Sequence, residues 1–371
     1  MLTDELDYPL PDSLIATSPA QPRDAAKLMV VHRAGEPTGD GQREGEGTGE
    51  ATIAHHLVRD LPELLQPGDL MVVNRSRVLS ASFEAQRVRT GGAVKGLYLH
   101  ETAARRWVVM LEMRGSARVG ERIALDAQHE LELLDRDESG FWEATLHGPL
   151  GTLDLLGRIG RTPLPPYILK ARLRAGCAEW EVDDASRYNT VYACDPGSVA
   201  APTAGLHFTD DLLARLEAAG IERAAVSLHV GPGTFTPVRS ERLDEHTMHR
   251  EQVSIPAGTI EAMARARERG SRIICIGTTT VRALESLPGH WRDLKASGWQ
   301  GGTALFIHPE AGFTFRFTDA LLTNFHLPRS TLLAMVASLP AVGITWLKQW
   351  YAEAIERQYR FYSYGDAMLL L

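Results

Sequence analysis

Between Asp69 and Gly148 the chain offers short apolar–polar runs with no long helical pattern among them, and this limits the fold more than any other feature. The runs "DLMVVN", "RVLSASFEAQRV", "GLYLHE", "RRWVVMLEM", "ERIALD", "HELELLDRD" and "FWEATLHG" follow one another with brief turn-like breaks, and His129 to Leu133 alternate cleanly. Such spacing predicts a small β-barrel or sandwich. After residue 155 strands and helices alternate. Thr209 is placed to cap a helix over 210–219 that ends at Gly220, and "RAAVSLHV" reads as a buried strand. Thr259 is expected to cap a second helix reaching Glu268, with Gly270 as its stop. "RIICIG" is a further strand, running into "TTTVRALES", and two more helices are expected over 331–339 and 346–358. The fold class is therefore α/β: a mixed α/β main domain (1–77 and 156–371) with an inserted small β-barrel (78–155).

Composition narrows the function. Hydrophobic residues make up 44% of the 371 and charged residues 23%, the balance of an ordinary folded protein. The net charge of −8 opposes nucleic acid as a whole, so any RNA contact requires a local basic surface. Cys177, Cys194 and Cys275 are scattered and odd in number, which points to a reducing compartment. The acidic start "MLTDELDYPLPDSL" does not read as a secretion signal, and the uncharged run from Ser330 to Leu347 is shorter than the roughly 20 residues of a spanning helix. The expectation is a cytoplasmic protein with no membrane contact. Residues 34–50, "AGEPTGDGQREGEGTGE", are nearly devoid of apolar side chains and read as a mobile loop without a catalytic role.

Several turns could carry chemistry. In "CIGTTTVRALES" a β-branched strand ends at Gly277, and Thr278, Thr279 and Thr280 lead into a helix. Free backbone N–H groups there suit a carboxylate or phosphate, with Arg282 as a charged fork; equally, Thr278 could merely cap the helix and Arg282 pair with Glu285. "SLHVGPGTFTPV" delivers His229, after which Gly231 and Gly233 let the backbone approach a ligand. Neither a dinucleotide fingerprint nor a P-loop is present. "HTMHRE" holds His246, His249 and Glu251; their spacing lacks the H-E-x-x-H arrangement, which favours a base or hydrogen-bond donor over a zinc ligand. His326 and Asn324 precede a helix that Ser330 can cap, where a lone histidine is more often structural. Tyr359, Phe361, Tyr362 and Tyr364 beside Arg360 could stack on bases, with core packing the better reading for at least half of them. "AAPTAGLHF" (200–208) is neutral and ends in His207.

Taken in order, "DYPLPDSLIATSPAQPRDAAKLMV", "PGDLMVVNRSRV", "PLPPYI", "YNTVYACDPGSVAAPTAGLHFT", "LHVGPGTFTPV", "EHTMHRE", "GTTTVRALES", "LLTNFHLPRSTLL" and "YRFYSYGDAML" resemble the S-adenosylmethionine:tRNA ribosyltransferase-isomerase (QueA) family over nearly the whole chain. The resemblance implies an α/β domain with an inserted barrel. It also implies transfer of the ribosyl part of S-adenosylmethionine onto 7-aminomethyl-7-deazaguanine at the tRNA wobble position, giving epoxyqueuosine with release of adenine and methionine. No metal is implied, and a monomer is expected. Three departures stand out: Asn74-Arg75-Ser76-Arg77 where the family usually reads N-D/N-[ST]-R, Lys95 where it tends to carry an acid, and a longer 34–50 loop.

On that resemblance, the chemistry needs a base for the ribose carbon beside the sulfonium, a donor to the departing adenine, and a seat for the methionine carboxylate. His207, His229, His249 and Glu251 are the base or donor candidates. Thr203, Gly205, Gly231, Gly233, Thr234, Thr278, Thr279 and Arg282 are the co-substrate candidates. Arg75, Arg77, Arg87, Arg89, Lys170, Arg172 and Arg360 are the tRNA candidates, with Arg158, Arg161 and Arg174 nearby; for any one of these cations a solvated face is the competing reading. Three rivals remain: a relative acting on a free deazapurine, a non-catalytic RNA-binding homologue, and a zinc hydrolase built on His246 and His249.

Overall fold

The computed structural model describes residues 1–33, 51–231, 238 and 240–371. The 34–50 loop and the candidates Gly233 and Thr234 lie outside the described residues. In chain order the strands begin with β1 (Lys27–His32), β2 (Thr52–Leu57), β3 (Leu70–Asn74) and β4 (Ser76–Val78). Then come β5 (Ser82–Arg87), β6 (Ala93–Ala103), β7 (Arg106–Met113), β8 (Arg122–Ala124), β9 (Glu130–Arg136) and β10 (Trp142–His147). The remainder are β11 (Asp195–Ser198), β12 (Glu222–Leu228), β13 (Glu251–Ile255), β14 (Ile273–Ile276), β15 (Trp299–Thr303), β16 (Ala320–Asn324) and β17 (Ala367–Leu370).

Among the described residues, one mixed sheet runs β15-β13-β12-β3-β14-β16-β17-β1-β2, and β10-β7-β6-β5-β8-β9 close a barrel. Of the strand-rich middle of the sequence, the runs from Ser82 to His147 form that barrel, whereas "DLMVVN", expected among them, is β3 at the centre of the main sheet and β4 pairs with β11. The barrel's alternation buries Phe83, Trp107, Leu131, Leu133 and Ala144 inside, and the helix Thr152–Ile159 adds Leu155 and Leu156 to the same core. Trp107 turns its indole N–H outward to the Thr152 hydroxyl at 2.8 Å, so a large ring is buried without an orphaned donor.

The main sheet is parallel at its centre, where β12, β3, β14 and β16 lie side by side. Both faces of β3 are covered: Leu70 and Val72 belong to one core, Met71 and Val73 to the other. That is why "LMVVN" is uniformly buried rather than alternating. The chain leaves β3 for β12 on one side and reaches β14 on the other, so the carboxyl ends of these strands form a switch point. Asn74, His229, Gly277 and Asn324 stand at those ends.

The helix Asp210–Ala218 is capped as expected, the Thr209 side chain accepting from the Leu212 N–H at 3.1 Å. The expected cap at Thr259 is incorrect: the helix begins at Ala257 behind Pro256, and the Thr259 hydroxyl donates to the Ala225 carbonyl at 2.6 Å. Proline supplies a ready-made extended residue before the first turn, which frees Thr259 to tie helix to sheet. The last two helices run Thr331–Ala337 and Gly343–Glu356. Tyr359, Phe361, Tyr362 and Tyr364 are all buried, and Phe361 stacks among Tyr8, Phe325 and Tyr351, so none of the four is a free stacking surface. No helix among the described residues is long and apolar enough to cross a membrane.

Candidate active site

A cleft of about 1110 Å³ separates the barrel from the main sheet. The barrel contributes Phe83, Lys95, Glu112 and Phe141; the sheet side contributes Gly231, Glu251, Thr278, Thr279 and Arg282; His246 and His249 enter from the connection before β13. A smaller side pocket of about 60 Å³ adjoins it through Thr278, Thr279 and Leu332, and Thr203 and Asn324 line that pocket.

The wall between the two is built from strand ends. Gly277 has φ of 86°, the left-handed region that turns β14 directly into the helix Thr278–Glu285 without a Cβ clash. Asn74 braces the turn from β3, its amide nitrogen donating to the Leu228 carbonyl (3.0 Å) and Thr279 hydroxyl (3.3 Å), and its oxygen accepting from the Leu228 N–H (3.1 Å). One turn into the helix, Arg282 is 3% exposed and its Nη1 donates to Glu251. Its Nε donates to the Leu305 carbonyl at 3.1 Å, and Nη2 is buried with no partner. Glu251 also accepts from the Gly231 N–H at 3.0 Å. The expectation that Arg282 pairs with Glu285 is incorrect: Glu285 instead accepts from the backbone N–H groups of Arg316, Phe317 and Thr318.

The chain matches the family described as "Queuosine biosynthesis protein" over residues 3–370. The chain belongs to the queuosine biosynthesis protein family. S-adenosylmethionine:tRNA ribosyltransferase-isomerases of Anaeromyxobacter dehalogenans and Gloeobacter violaceus are each 44% identical to it, over 100% of this chain and 99% and 96% of theirs. A crystal structure of an S-adenosylmethionine tRNA ribosyltransferase from Thermotoga maritima is similar with a TM-score of 0.50, at 32% identity over 99% of this chain and 100% of that one.

Within this member of the family, the residues singled out from sequence divide by location. His249, Glu251, Gly231, Thr278, Thr279 and Arg282 share the cleft, and Thr203 lies in the side pocket. His207 and His229 line neither cavity. His207 is 4% exposed, 3.2 Å from the Asn324 amide nitrogen, and burial, reinforced by Arg360 and Arg23, pushes its pKa down to about 3. A ring that neutral and enclosed is a poor acceptor of a substrate proton, so its expected role as base is corrected. His229 is half-buried against Gly197, where an added Cβ would come within 2.9 Å of the ring, and burial lowers its pKa. At Gly205 the missing Cβ leaves room for the Tyr192 hydroxyl.

Among the RNA candidates, Arg172 and Arg87 are corrected. Arg172 is 1% exposed and forms a two-pronged pair with Asp184, at 2.8 and 2.7 Å. Arg87 is buried against Glu121 and the carbonyls of Arg114 and Ser116. Each guanidinium is consumed by the fold. Arg75 pairs with Asp195 at 2.9 Å, and Arg360 is half-buried beside Asp366 and the Ser18 carbonyl. Arg77, Arg89 and Lys170 are exposed. The barrel residues of the cleft, Phe83, Glu112 and Phe141, were not singled out from sequence, since strand alternation identifies a face but not what stands opposite it.

Proposed function

We propose that the cleft between barrel and sheet is where the ribosyl group of S-adenosylmethionine is transferred and isomerised onto 7-aminomethyl-7-deazaguanine of tRNA. The products are epoxyqueuosine-tRNA, adenine and methionine. The observation that carries this placement is the buried Glu251–Arg282 pair at the cleft wall, with Arg282 Nη2 unpartnered beside the first turn of the Thr278–Glu285 helix. A carboxylate such as that of the methionine moiety satisfies both the open guanidinium donor and the free helix N–H groups.

The charge balance of the cleft fits its cationic reactants. Glu84, Glu112, Glu179, Glu245 and Glu251 line it against Lys95, Arg161 and Arg282, which favours a sulfonium and an aminomethyl ammonium. Phe83, Phe141 and Trp180 supply flat apolar walls for the incoming base. His249, exposed and close to Phe141, takes the proton from the ribose carbon next to sulfur. The electron pair left there expels adenine through the ring, the amine attacks, and methionine leaves as the epoxide closes. Arg77, Arg89 and Lys170, with Lys95 at the cleft, contact tRNA phosphates. The enzyme acts as a monomer and in the cytoplasm, where tRNA is processed.

The test follows adenine release and the modified nucleoside by mass, with S-adenosylmethionine and precursor tRNA. Replacing His249 with Ala is expected to slow turnover by at least about tenfold with the melting temperature little changed. Full turnover in His249→Ala would remove it as the base, and turnover without tRNA would favour a free deazapurine as acceptor.

A further inference from the structure

Asn324 closes β16 at the carboxyl edge of the sheet and is 2% exposed. The side pocket it lines has no Asp, Glu, Lys or Arg among its described residues, and burial keeps its one histidine, His326, neutral with a pKa near 3. The pocket has room for about four or five waters, which suits the edge of a purine ring rather than a whole nucleoside.

The amide of Asn324 has a defined orientation. Its nitrogen lies 3.1 Å from the Tyr362 carbonyl, which can only accept, so the atom facing it is the NH₂ group. The same nitrogen is 3.2 Å from His207 Nε2, which therefore accepts and carries its proton on Nδ1. The oxygen Oδ1 is left buried without a partner. A buried acceptor with no donor is costly, and native structures leave one chiefly where a ligand or water completes it.

We infer that Asn324 Oδ1 accepts a hydrogen bond from the exocyclic amine of the adenine of S-adenosylmethionine, with His207 as the positioning residue that holds the amide. The inference rests on the placement of S-adenosylmethionine in the adjoining cleft. It explains why the neutral "AAPTAGLH" turn delivers a histidine that never reaches the cleft: the ring orients Asn324 from behind. It also makes the pocket selective for a 6-amino purine, because a 6-oxo group would set one acceptor against another.

The experiment compares S-adenosylmethionine with S-inosylmethionine, its 6-oxo analogue, by base release with precursor tRNA and by equilibrium binding. The unaltered enzyme is expected to prefer the amino form by at least about tenfold in kcat/KM. Asn324→Ser is expected to raise KM for S-adenosylmethionine about tenfold or more, with kcat changed less, and to bring the preference within about threefold of unity. His207→Gln, which keeps an acceptor for the amide nitrogen, should retain the preference, and His207→Leu should lose most of it. Equal use of the two co-substrates by the unaltered enzyme overturns the inference. So does a folded Asn324→Ser variant that keeps the original preference. Should Asn324→Ser fail to melt cooperatively, the analogue comparison and the two His207 variants decide. Should no base be released from either compound, the proposed function fails instead, and the binding preference alone judges Asn324.

Discussion

Glu251 and Arg282 show how much of the site rests on one buried pair. Both are nearly excluded from solvent, at 6% and 3% exposure. Taking two charges out of water is unfavourable unless their remaining hydrogen-bonding capacity is used, and here the Gly231 N–H and the Leu305 carbonyl use part of it. Glu251→Gln keeps the shape but leaves the Arg282 charge uncompensated. The expected outcome is a loss of about 3–5 kcal/mol of stability, read from urea unfolding, and a fall in kcat/KM of at least about 100-fold. A variant with unchanged stability and turnover would show the pair to be dispensable. Arg282→Lys is expected to fail similarly, because an ammonium cannot reproduce a fork that serves Glu251 and Leu305 at once.

At the scale of elements, the cations near the barrel and the 166–187 region perform two different tasks that sequence alone could not separate. Arg172, on the helix Pro166–Arg174, clamps Asp184 of the next short helix and reaches the Thr17 carbonyl, so it fastens three segments. Arg172→Ala is expected to destabilise the protein by about 3–5 kcal/mol, since Asp184 would be left buried and unpaired. It should leave the salt dependence of tRNA binding unchanged in whatever fraction remains folded. Lys170, two residues away and exposed, should do the reverse. Lys170→Ala is expected to leave the melting temperature within a degree or two. It should reduce the slope of log K against log salt by about 0.7–0.9, one phosphate's worth. An unchanged slope for Lys170, Arg77 and Arg89 variants together would move the RNA surface elsewhere.

For the whole molecule, the cleft exists only because an all-β insertion faces the carboxyl edge of a parallel sheet. The same interior holds two neutral histidines, His207 and His326, each with its pKa pushed down to about 3. Their folded pKa values lie below the ordinary value near 6.5, so the unfolded chain binds these protons first. Stability from this source is full above about pH 6.5 and is lost as pH falls toward 3. Each ring is expected to contribute about 1.5 kcal/mol of loss between pH 6.5 and pH 5. Denaturant midpoints over that range check this, and His207→Gln should remove its share of the slope. A flat profile would mean that both rings are protonated in the folded protein, and half the expected slope that one of them is.

The sequence by itself determined the elements: alternation marked the barrel strands, "RAAVSLHV" marked the strand that is β12, and Thr209 and Gly270 marked helix ends. These are local properties, set by backbone geometry and by which side of a short segment meets water. The order of motifs along the chain determined the family in the same way. Only the tertiary structure decided which turns share a cavity. His249, Glu251, Thr278 and Arg282 converge there, while His207, equally prominent in sequence, stands one layer behind at Asn324. Only the fold could show that Arg87 and Arg172 are enclosed while Lys170 is not. The physical reason is that burial and ion pairing depend on what packs opposite a residue, and that partner lies well beyond the local segment: Arg172 meets Asp184 across 12 residues, Arg282 meets Glu251 across 31, and His207 meets Asn324 across 117.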